Sequence, residues 1–319
     1  MRFSLVLGAG GVVGMAYHAG ALHSLEQHAG LRPDDADLVV GTSAGSVIGS
    51  FLRSGWETSD LWQFALGTHP VLSDLPPAEG ERRRQVAMVP GWQTPVELAR
   101  RAIGSAWVLG RTVVRVPIPD LPAALRRTFP GGLFSMEDAN DRFTELLPER
   151  WPERPLWLCA VDITSGRRVV LGRRGAPQVT LREAVMASCA IPGVYAPVRA
   201  GGRTLIDGGA HSTTNLDLVA RRGAPLVVGV APMAFETAVR PGPLAQLTRR
   251  RAAVSLSREL HRARKGGAEV LLVRPSADEC DLHGVRLMNP ESVEAVARAA
   301  YESTSRLVET TRFRRALVA

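Results

Sequence analysis

Short apolar runs alternate with longer mixed stretches along the 319-residue chain. The runs have the length of buried strands and the mixed stretches that of helices, a pattern typical of a mainly parallel sheet sandwiched between helices. Apolar runs predict strands at 3–7, 38–40, 156–161, 168–171, 225–230 and 268–273. Mixed stretches predict helices at 15–22, 47–52, 53–68, 135–147, 181–188, 244–265 and 291–313. We therefore expect a single α/β domain over residues 1–319.

One segment interrupts this alternation. Residues 70–132 are rich in proline and arginine, and we expect them to form an insertion within the domain. Inside it, the stretch from Pro95 to Arg115 combines Trp, Leu and Arg side chains in the manner of an amphipathic helix. Two interpretations stay open: the helix forms a lid or a membrane contact, or it packs on the body with its arginines in solvent. Residues 240–319 are expected to form a C-terminal extension of helices and a strand.

The amino-acid composition limits which binding partners and which cellular compartment are expected for the protein. The formal charge is +8, and Lys265 is the single lysine beside many arginines. A basic chain suits anionic lipids or nucleic acid, but no zinc-finger, RNA-recognition or aromatic stacking pattern is present, so nucleic acid is not expected. No apolar run reaches about 18 residues, and we expect no signal peptide before the first strand. We expect a cytoplasmic protein, with peripheral membrane contact through its basic and amphipathic segments.

The sequence offers no metal-ligand pattern. Cys159, Cys189 and Cys280 are widely separated, and their spacing fits neither a metal site nor a disulfide framework. We therefore expect no metal and no cofactor.

The predicted strand at 38–40 leads into the pentapeptide Gly-Thr-Ser-Ala-Gly at 41–45 and then into a predicted helix. This is the Gly-x-Ser-x-Gly pattern of a nucleophile elbow, a sharp strand-to-helix turn that presents a serine hydroxyl. Gly41 and Gly45 suit such a turn because a side chain at either position would collide with the neighbouring strand or helix. The positive end of the following helix favours negative charge beside Ser43. An ordinary turn of small residues is the alternative, and the flanking strand and helix favour the nucleophile.

A second glycine-rich turn follows the first predicted strand. Residues 8–14 read Gly-Ala-Gly-Gly-Val-Val-Gly and lead into a helix, so their N–H groups can converge on an anion. A dinucleotide site would need a third glycine where Val13 stands, and an acid at the end of the next strand, which the chain lacks. An oxyanion hole fits better, because the carboxyl ends of the first two strands bring both turns to one edge.

The segment at 201–209, Gly-Gly-Arg-Thr-Leu-Ile-Asp-Gly-Gly, predicts a hairpin-like turn and a short strand that ends in Asp207. Taken alone, Asp207 is compatible with an ordinary turn aspartate before glycine.

Three stretches, in this order, resemble the patatin-like phospholipase family: the glycine loop at 8–14, the elbow at 41–45 and the Asp-Gly-Gly at 207–209. The segment at 187–198, Ala-Ser-Cys-Ala-Ile-Pro-Gly-Val-Tyr-Ala-Pro-Val, is similar to the family's segment before the Asp-Gly-Gly strand. The turn Asp-Ile-Thr-Ser-Gly at 162–166 is similar to its mid-chain turn.

This resemblance covers residues 3–70 and 132–235 and implies a three-layer α/β fold. It also implies a catalytic dyad without a histidine. In that dyad Ser43 is the nucleophile, and Asp207 is the general base that removes its proton.

The resemblance further implies the groups around the dyad. Gly208 and Gly209 complete the acid motif. The N–H groups of Ala9, Gly10 and Gly11 would bind the negative oxygen of the tetrahedral intermediate, and losing one such donor typically costs about 2.7–4 kcal/mol.

The glycine loop departs from the family pattern at two positions. The family usually has arginine or lysine where Val13 stands, and its glycine frame here begins with Ala9. Backbone donors survive both changes, whereas the help of a cation does not. A Ser-His-Asp triad is the rival mechanism, although its elbow usually follows several strands and Ser43 follows only the second. The candidate histidines are His211, His261 and His283.

The expected function is hydrolysis of lipid ester bonds by a phospholipase A, a lysophospholipase or a general carboxylester hydrolase. The alternative from another class is a catalytically weak or inactive patatin-like module that binds lipid or docks on membranes. A nucleotide-dependent oxidoreductase is the third and least favoured class.

Overall fold

The computed structural model describes residues 2–76, 90–114, 122, 125, 128–129, 131–136, 146–220, 225–235, 243–276, 279, 282 and 287–310, with backbone only at 113 and 243–249. The chain divides into two compact units. The first, called here the parallel unit, comprises residues 1–85, 152–156 and 212–319, and the second, the antiparallel unit, comprises residues 86–151 and 157–211. Cys280, His283 and most of the predicted helix at 135–147 lie outside the described residues.

The described elements follow the alternation expected from the sequence. The strands are β1 Phe3–Leu7, β2 Leu38–Thr42, β3 Leu156–Asp162, β4 Arg168–Leu171, β5 Val198–Ala200, β6 Arg203–Asp207, β7 Leu226–Val230 and β8 Glu269–Val273. The α-helices are α1 Gly11–Ala29, α2 Ala44–Arg53, α3 Thr58–Leu66, α4 Pro70–Ser73, α5 Pro95–Leu109, α6 Leu181–Cys189, α7 Asp217–Ala220, α8 Pro243–Lys265 and α9 Val293–Val308. Every apolar run that predicted a strand is confirmed as one.

The parallel unit is built on four parallel strands in the order β2-β1-β7-β8. All residues of β1, β2 and β7 are buried. Parallel strands covered on both faces need apolar side chains on both, which explains their continuous apolar sequence. Leu7 lies opposite both Gly41 and Val230, so the chain leaves β1, β2 and β7 at the same edge.

The antiparallel unit contains the remaining strands. β3 pairs with β4 and β6, and β6 pairs with β5, all antiparallel. Its core includes Val108 of α5 packed with Val161, Ile163 and Ile206. The predicted fold class is thus confirmed as α/β with parallel strands flanked by helices. The antiparallel pairs are an addition, since the periodicity of a buried strand does not reveal its direction.

Helix α5 lies within the predicted insertion and is buried on one side only. Gly104, Ser105 and Val108 are buried, whereas Val96 is 59 % exposed and Ile103 is 56 % exposed. The boundaries predicted for the insertion, the C-terminal extension and the single domain, and the role of lid, stay predictions. Among the described residues, no helix has the length and apolar character needed to cross a membrane.

The C-terminal helix α9 packs along α1. The two backbones meet at Gly20, where an added Cβ would overlap the carbonyl group of Ala297. Close approach of two helices requires a residue without a side chain at the crossing point, so Gly20 fixes how near α9 can lie to the helix that starts at the glycine loop.

We predict that Gly20→Ala destabilises the protein. Overpacking against a backbone carbonyl typically costs about 1–3 kcal/mol, which outweighs the helix-propensity gain of about 1 kcal/mol from replacing glycine. Urea unfolding followed by circular dichroism measures the change.

Gly14→Ala on the same helix is the matched control. Its added Cβ would meet nothing closer than the Ala44 Cβ at 3.5 Å, an ordinary contact. This variant should be as stable as the wild type or slightly more stable. A Gly20→Ala protein that unfolds at the wild-type urea concentration would contradict the tight crossing.

Candidate active site

Ser43 occupies the sharp turn between β2 and α2. Its backbone has φ 52° and ψ −118°, and a positive φ typically costs a non-glycine residue about 1–3 kcal/mol. Its carbonyl oxygen accepts hydrogen bonds from the Ser46 N–H at 2.8 Å and from the Ser46 hydroxyl at 2.6 Å. A strained serine at the N-terminus of a helix that follows a strand is the geometry of a nucleophile elbow.

The two glycines of the turn are needed for close packing. A Cβ on Gly41 would lie 2.6 Å from the carbonyl oxygen of Gly45. A Cβ on Gly45 would overlap the carbonyl group of Leu7 at the end of β1. The turn therefore packs directly against the backbone of the neighbouring strand.

The glycine loop lies beside this turn. The Gly8 N–H donates to the Val230 carbonyl oxygen at 2.9 Å, and the Gly8 carbonyl oxygen accepts from the Gly45 N–H at 3.1 Å. Loop and elbow are thus joined by a direct backbone hydrogen bond, as the edge of a parallel sheet allows.

The loop amides are not equivalent. The Ala9 N–H donates to the Thr213 carbonyl oxygen at 2.7 Å, and its role as an oxyanion donor stays a prediction. Gly10 and Gly11 stand at the N-terminus of the 19-residue α1, where N–H groups and the helix dipole favour an anion. Gly11 has φ 63°, and a Cβ there would lie 2.6 Å from the Leu287 carbonyl oxygen.

His18 lies on α1, shortly after the end of the glycine loop, and is fully buried. Its Nε2 atom is 2.8 Å from the Gly8 carbonyl oxygen, and a carbonyl can only accept, so Nε2 carries the proton. Burial lowers the pKa of His18 to about 4, even though the hydrogen bond to Gly8 favours the charged form. The imidazole is therefore neutral at pH 7 and acts as a fixed donor to the loop.

Asp207 ends β6 in the antiparallel unit and is 5 % exposed. One carboxylate oxygen accepts a hydrogen bond from the Gly209 N–H at 2.7 Å, which orients the group. A Cβ on Gly208 would overlap the carbonyl group of Cys159, so the acid motif also needs its first glycine. Ser43 belongs to the parallel unit, and its pairing with Asp207 stays a prediction.

Histidines for a catalytic triad and ligands for a metal ion are the other groups to consider in the described part of the chain. His261 is exposed on α8 and His211 is exposed after the turn that follows Asp207, and a role for either in a triad stays open. No three His, Cys, Asp or Glu side chains among the described residues are grouped in a way that could hold a metal ion.

A sequence model of the patatin-like phospholipase family matches residues 5–220, which is more than half of the chain. The chain belongs to the patatin-like phospholipase family. The match includes the elbow, the glycine loop and the Asp-Gly-Gly turn, and it ends before α8 and α9.

Solved structures of larger proteins also match. VipD from Legionella pneumophila has 14 % identity and a TM-score of 0.43, covering 97 % of this chain and 66 % of that one. The type III effector ExoU has 18 % identity and a TM-score of 0.38, covering 100 % and 53 %. The ExoU–SpcU complex of Pseudomonas aeruginosa has 19 % identity and a TM-score of 0.31, covering 99 % and 65 %. This patatin-like chain thus spans between half and two thirds of those chains.

Sequence reasoning missed two buried polar residues that contact the site. His18 sits in an apolar helix stretch just after the glycine loop, and that position is the signal that could have identified it. Asn215 follows the Asp-Gly-Gly turn, and its Nδ2 donates to the Thr42 hydroxyl at 3.0 Å, next to Ser43. No local pattern predicts a contact between residues this far apart in sequence.

We predict that His18 makes stability depend on pH between 6.5 and about 4. Its folded-state pKa lies below its unfolded value, so the unfolded chain takes up the proton first and stability falls as pH decreases through this window. The loss approaches about 3 kcal/mol by pH 4. Urea unfolding of the wild type and His18→Gln from pH 7 to pH 4 measures it.

His18→Gln keeps a neutral N–H donor and cannot titrate. The stability advantage of the wild type over this variant should therefore shrink steadily as the pH falls. A difference that is constant with pH would show that His18 does not remain neutral in the folded protein.

Proposed function

We propose that this protein is a serine acyl hydrolase that cleaves ester bonds of lipids, with Ser43 as nucleophile and Asp207 as general base. The observation that carries the proposal is the strained turn that holds Ser43 against the glycine loop through the 3.1 Å Gly45–Gly8 hydrogen bond. Family membership supports lipid hydrolysis as the class of reaction. Phospholipids, lysophospholipids and simple carboxylic esters are the proposed substrates.

The proposed reaction has two halves. The Ser43 hydroxyl oxygen attacks the ester carbonyl carbon while Asp207 takes its proton. The tetrahedral intermediate then collapses, the C–O bond to the alcohol breaks, and the alcohol leaves with that proton. In the second half, water attacks the acyl carbon while Asp207 takes a proton from the water. The bond between the acyl carbon and the Ser43 oxygen then breaks, the fatty acid leaves, and the Ser43 oxygen takes the proton back from Asp207.

The proposed role of the glycine loop is to stabilise the negative charge that develops on the carbonyl oxygen of the substrate. The N–H groups of Gly10 and Gly11, at the positive end of α1, are the proposed donors. The fixed loop lowers the barrier because the donors need no reorientation when the charge develops.

The orientation of the Asp207 carboxylate suits its proposed role as general base. Its hydrogen bond from the Gly209 N–H fixes the carboxylate at the end of β6. A carboxylate needs no histidine to accept a proton if it lies within hydrogen-bond reach of the serine, and this contact is part of the proposal.

We predict that a fluorophosphonate probe forms one adduct on Ser43 and that Ser43→Ala abolishes both the adduct and ester turnover. Asp207→Asn should reduce turnover by about 10²–10⁴-fold, the usual contribution of a positioned general base. Intact mass, peptide mapping and hydrolysis of a short-chain ester measure these effects.

Two variants serve as matched controls. Ser50→Ala changes another buried serine of α2. Asp162→Asn changes another buried aspartate, which bonds Arg203, Thr164 and Ser165. Both should keep labelling and turnover. A folded wild type without an adduct would rule out the hydrolase and favour the lipid-binding alternative, which vesicle and fatty-acid binding would then test.

We also propose that the exposed side of α5 contacts the membrane that supplies the substrate. Val96, Arg100 and Ile103 follow the i, i+4, i+7 spacing of one helix face. The opposite face is held to the antiparallel unit, where Arg101 donates to the Gly132 carbonyl oxygen at 3.1 Å. An apolar strip that carries a cation suits the interface of an anionic bilayer, and a peripheral cytoplasmic protein is the location we propose.

We predict that the double change Val96→Asp and Ile103→Asp weakens binding to vesicles of phosphatidylcholine and phosphatidylglycerol by at least about tenfold. Turnover of a soluble short-chain ester should not change, because α5 does not carry the proposed catalytic groups. Vesicle cosedimentation measures the binding.

Val254→Asp is the matched control, because Val254 is 50 % exposed on a different helix, α8. It should bind vesicles as the wild type does. Equal binding by the α5 double variant would exclude this face as the membrane contact.

A further inference from the structure

Ser43 and Asn215 share an uncommon backbone state. Among the described residues, they are the two non-glycine residues with positive φ, at 52° and 55°. They are also linked, since the Asn215 Nδ2 donates at 3.0 Å to the hydroxyl of Thr42, the residue before Ser43. Strained conformations persist only where surrounding contacts impose them, so the support of Asn215 bears on the support of Ser43.

The turn that contains Asn215 contacts the glycine loop as well. The Thr213 carbonyl oxygen accepts from the Ala9 N–H at 2.7 Å. A single turn, residues 212–216, therefore contacts both the strand end that carries the nucleophile and the loop that carries the proposed oxyanion donors.

Glu259 of α8 holds this turn in place. Its Oε2 atom accepts from the Thr214 hydroxyl at 2.6 Å and from the Leu216 N–H at 2.9 Å. The residue is 4 % exposed. The two donors belong to the residues before and after Asn215, so the carboxylate binds the side chain on one side of the strained residue and the backbone on the other.

A buried carboxyl group at this place is costly. Burial raises the pKa of Glu259 above its ordinary value, and the hydrogen bonds from the turn oppose this by stabilising the carboxylate. If α8 only had to pack against the turn, an apolar side chain would do so without the desolvation cost. Glu259 supplies a hydrogen-bond acceptor for the turn, which an apolar side chain cannot do.

We propose that Glu259 is a positioning residue for the reaction of Ser43, acting through the turn at 212–216. It lies outside residues 5–220, the part of the chain that the family model matches. The C-terminal extension thereby contributes to the geometry of the site. This inference rests on the proposed function of Ser43.

A purely structural role makes a different prediction from a positioning role. A structural residue would lower stability and leave the folded enzyme's kinetic constants unchanged. A positioning residue lowers kcat in the folded protein with little change in KM, because displacement of the reacting groups raises the barrier rather than weakening substrate binding.

The experiment compares Glu259→Leu, Glu259→Gln and Thr214→Val with the wild type at a temperature where all are folded. Glu259→Leu should lower kcat and the rate of fluorophosphonate labelling by about 100-fold, the scale of a small misplacement of reacting groups. Glu259→Gln should recover part of this loss, because its amide oxygen still accepts. Thr214→Val, which deletes one of the two donors, should show a smaller loss of the same kind.

Leu256→Ala is the control for general damage to α8, since Leu256 is buried on that helix at 2 % exposure. It should lower stability and leave kcat unchanged. Hydrogen exchange of the peptides that cover residues 8–14 and 41–45, measured in the same samples, should rise in Glu259→Leu and stay at the wild-type level in Leu256→Ala.

The exchange measurement does not depend on activity and separates two failures. A wild type without a Ser43 adduct would overturn the proposed function and, with it, the role of Glu259 in a reaction. An active wild type whose Glu259→Leu variant keeps its kcat and its exchange rates at 8–14 and 41–45 would overturn the positioning role alone.

Discussion

The carbonyl oxygen of Gly8 accepts a backbone hydrogen bond from Gly45 at 3.1 Å and a side-chain hydrogen bond from His18 at 2.8 Å. These bonds join the end of β1, the first turn of α2 and the body of α1. The elbow needs this support, because a serine with positive φ relaxes unless its neighbours hold it. A neutral imidazole suits the task, since it donates in a buried place without adding a charge that burial would penalise.

Much of this arrangement could be predicted because it depends on local patterns. The apolar runs of β1 and β2, the glycines of both turns and the small-residue elbow indicated their elements and their shared sheet edge. Gly45 is an instructive case, since the expected collision of a side chain is found against Leu7 of the neighbouring strand. The amphipathic α5 was predicted as a helix, but its sequence left open whether it forms a lid or a membrane contact or packs on the body with its arginines in solvent.

The contacts that support the site were not predictable in the same way. Glu259 lies 43 positions from Leu216, and Asn215 lies 173 positions from Thr42. A carboxylate on a basic helix such as α8 gives the pattern of a solvent-exposed side chain, and only the folded structure reveals that two turn donors meet it. Periodicity reports burial along one element, whereas hydrogen bonds between distant elements depend on how those elements pack.

Val13 illustrates how such packing limits the chemistry of the loop. Its side chain is fully buried, and its N–H donates to the Leu287 carbonyl oxygen at 3.1 Å. A lysine or arginine here would have to bury its charge or push the C-terminal segment away from α1, and both are costly. A valine at this position is therefore compatible with the segment at residue 287, which packs over the glycine loop.

Charge stabilisation at the proposed oxyanion then depends on backbone donors and the dipole of α1, which act at short range and lose their effect if the loop shifts. The rigidity supplied by His18 and by the turn at 212–216 matters more in such a site than it would beside a mobile cation.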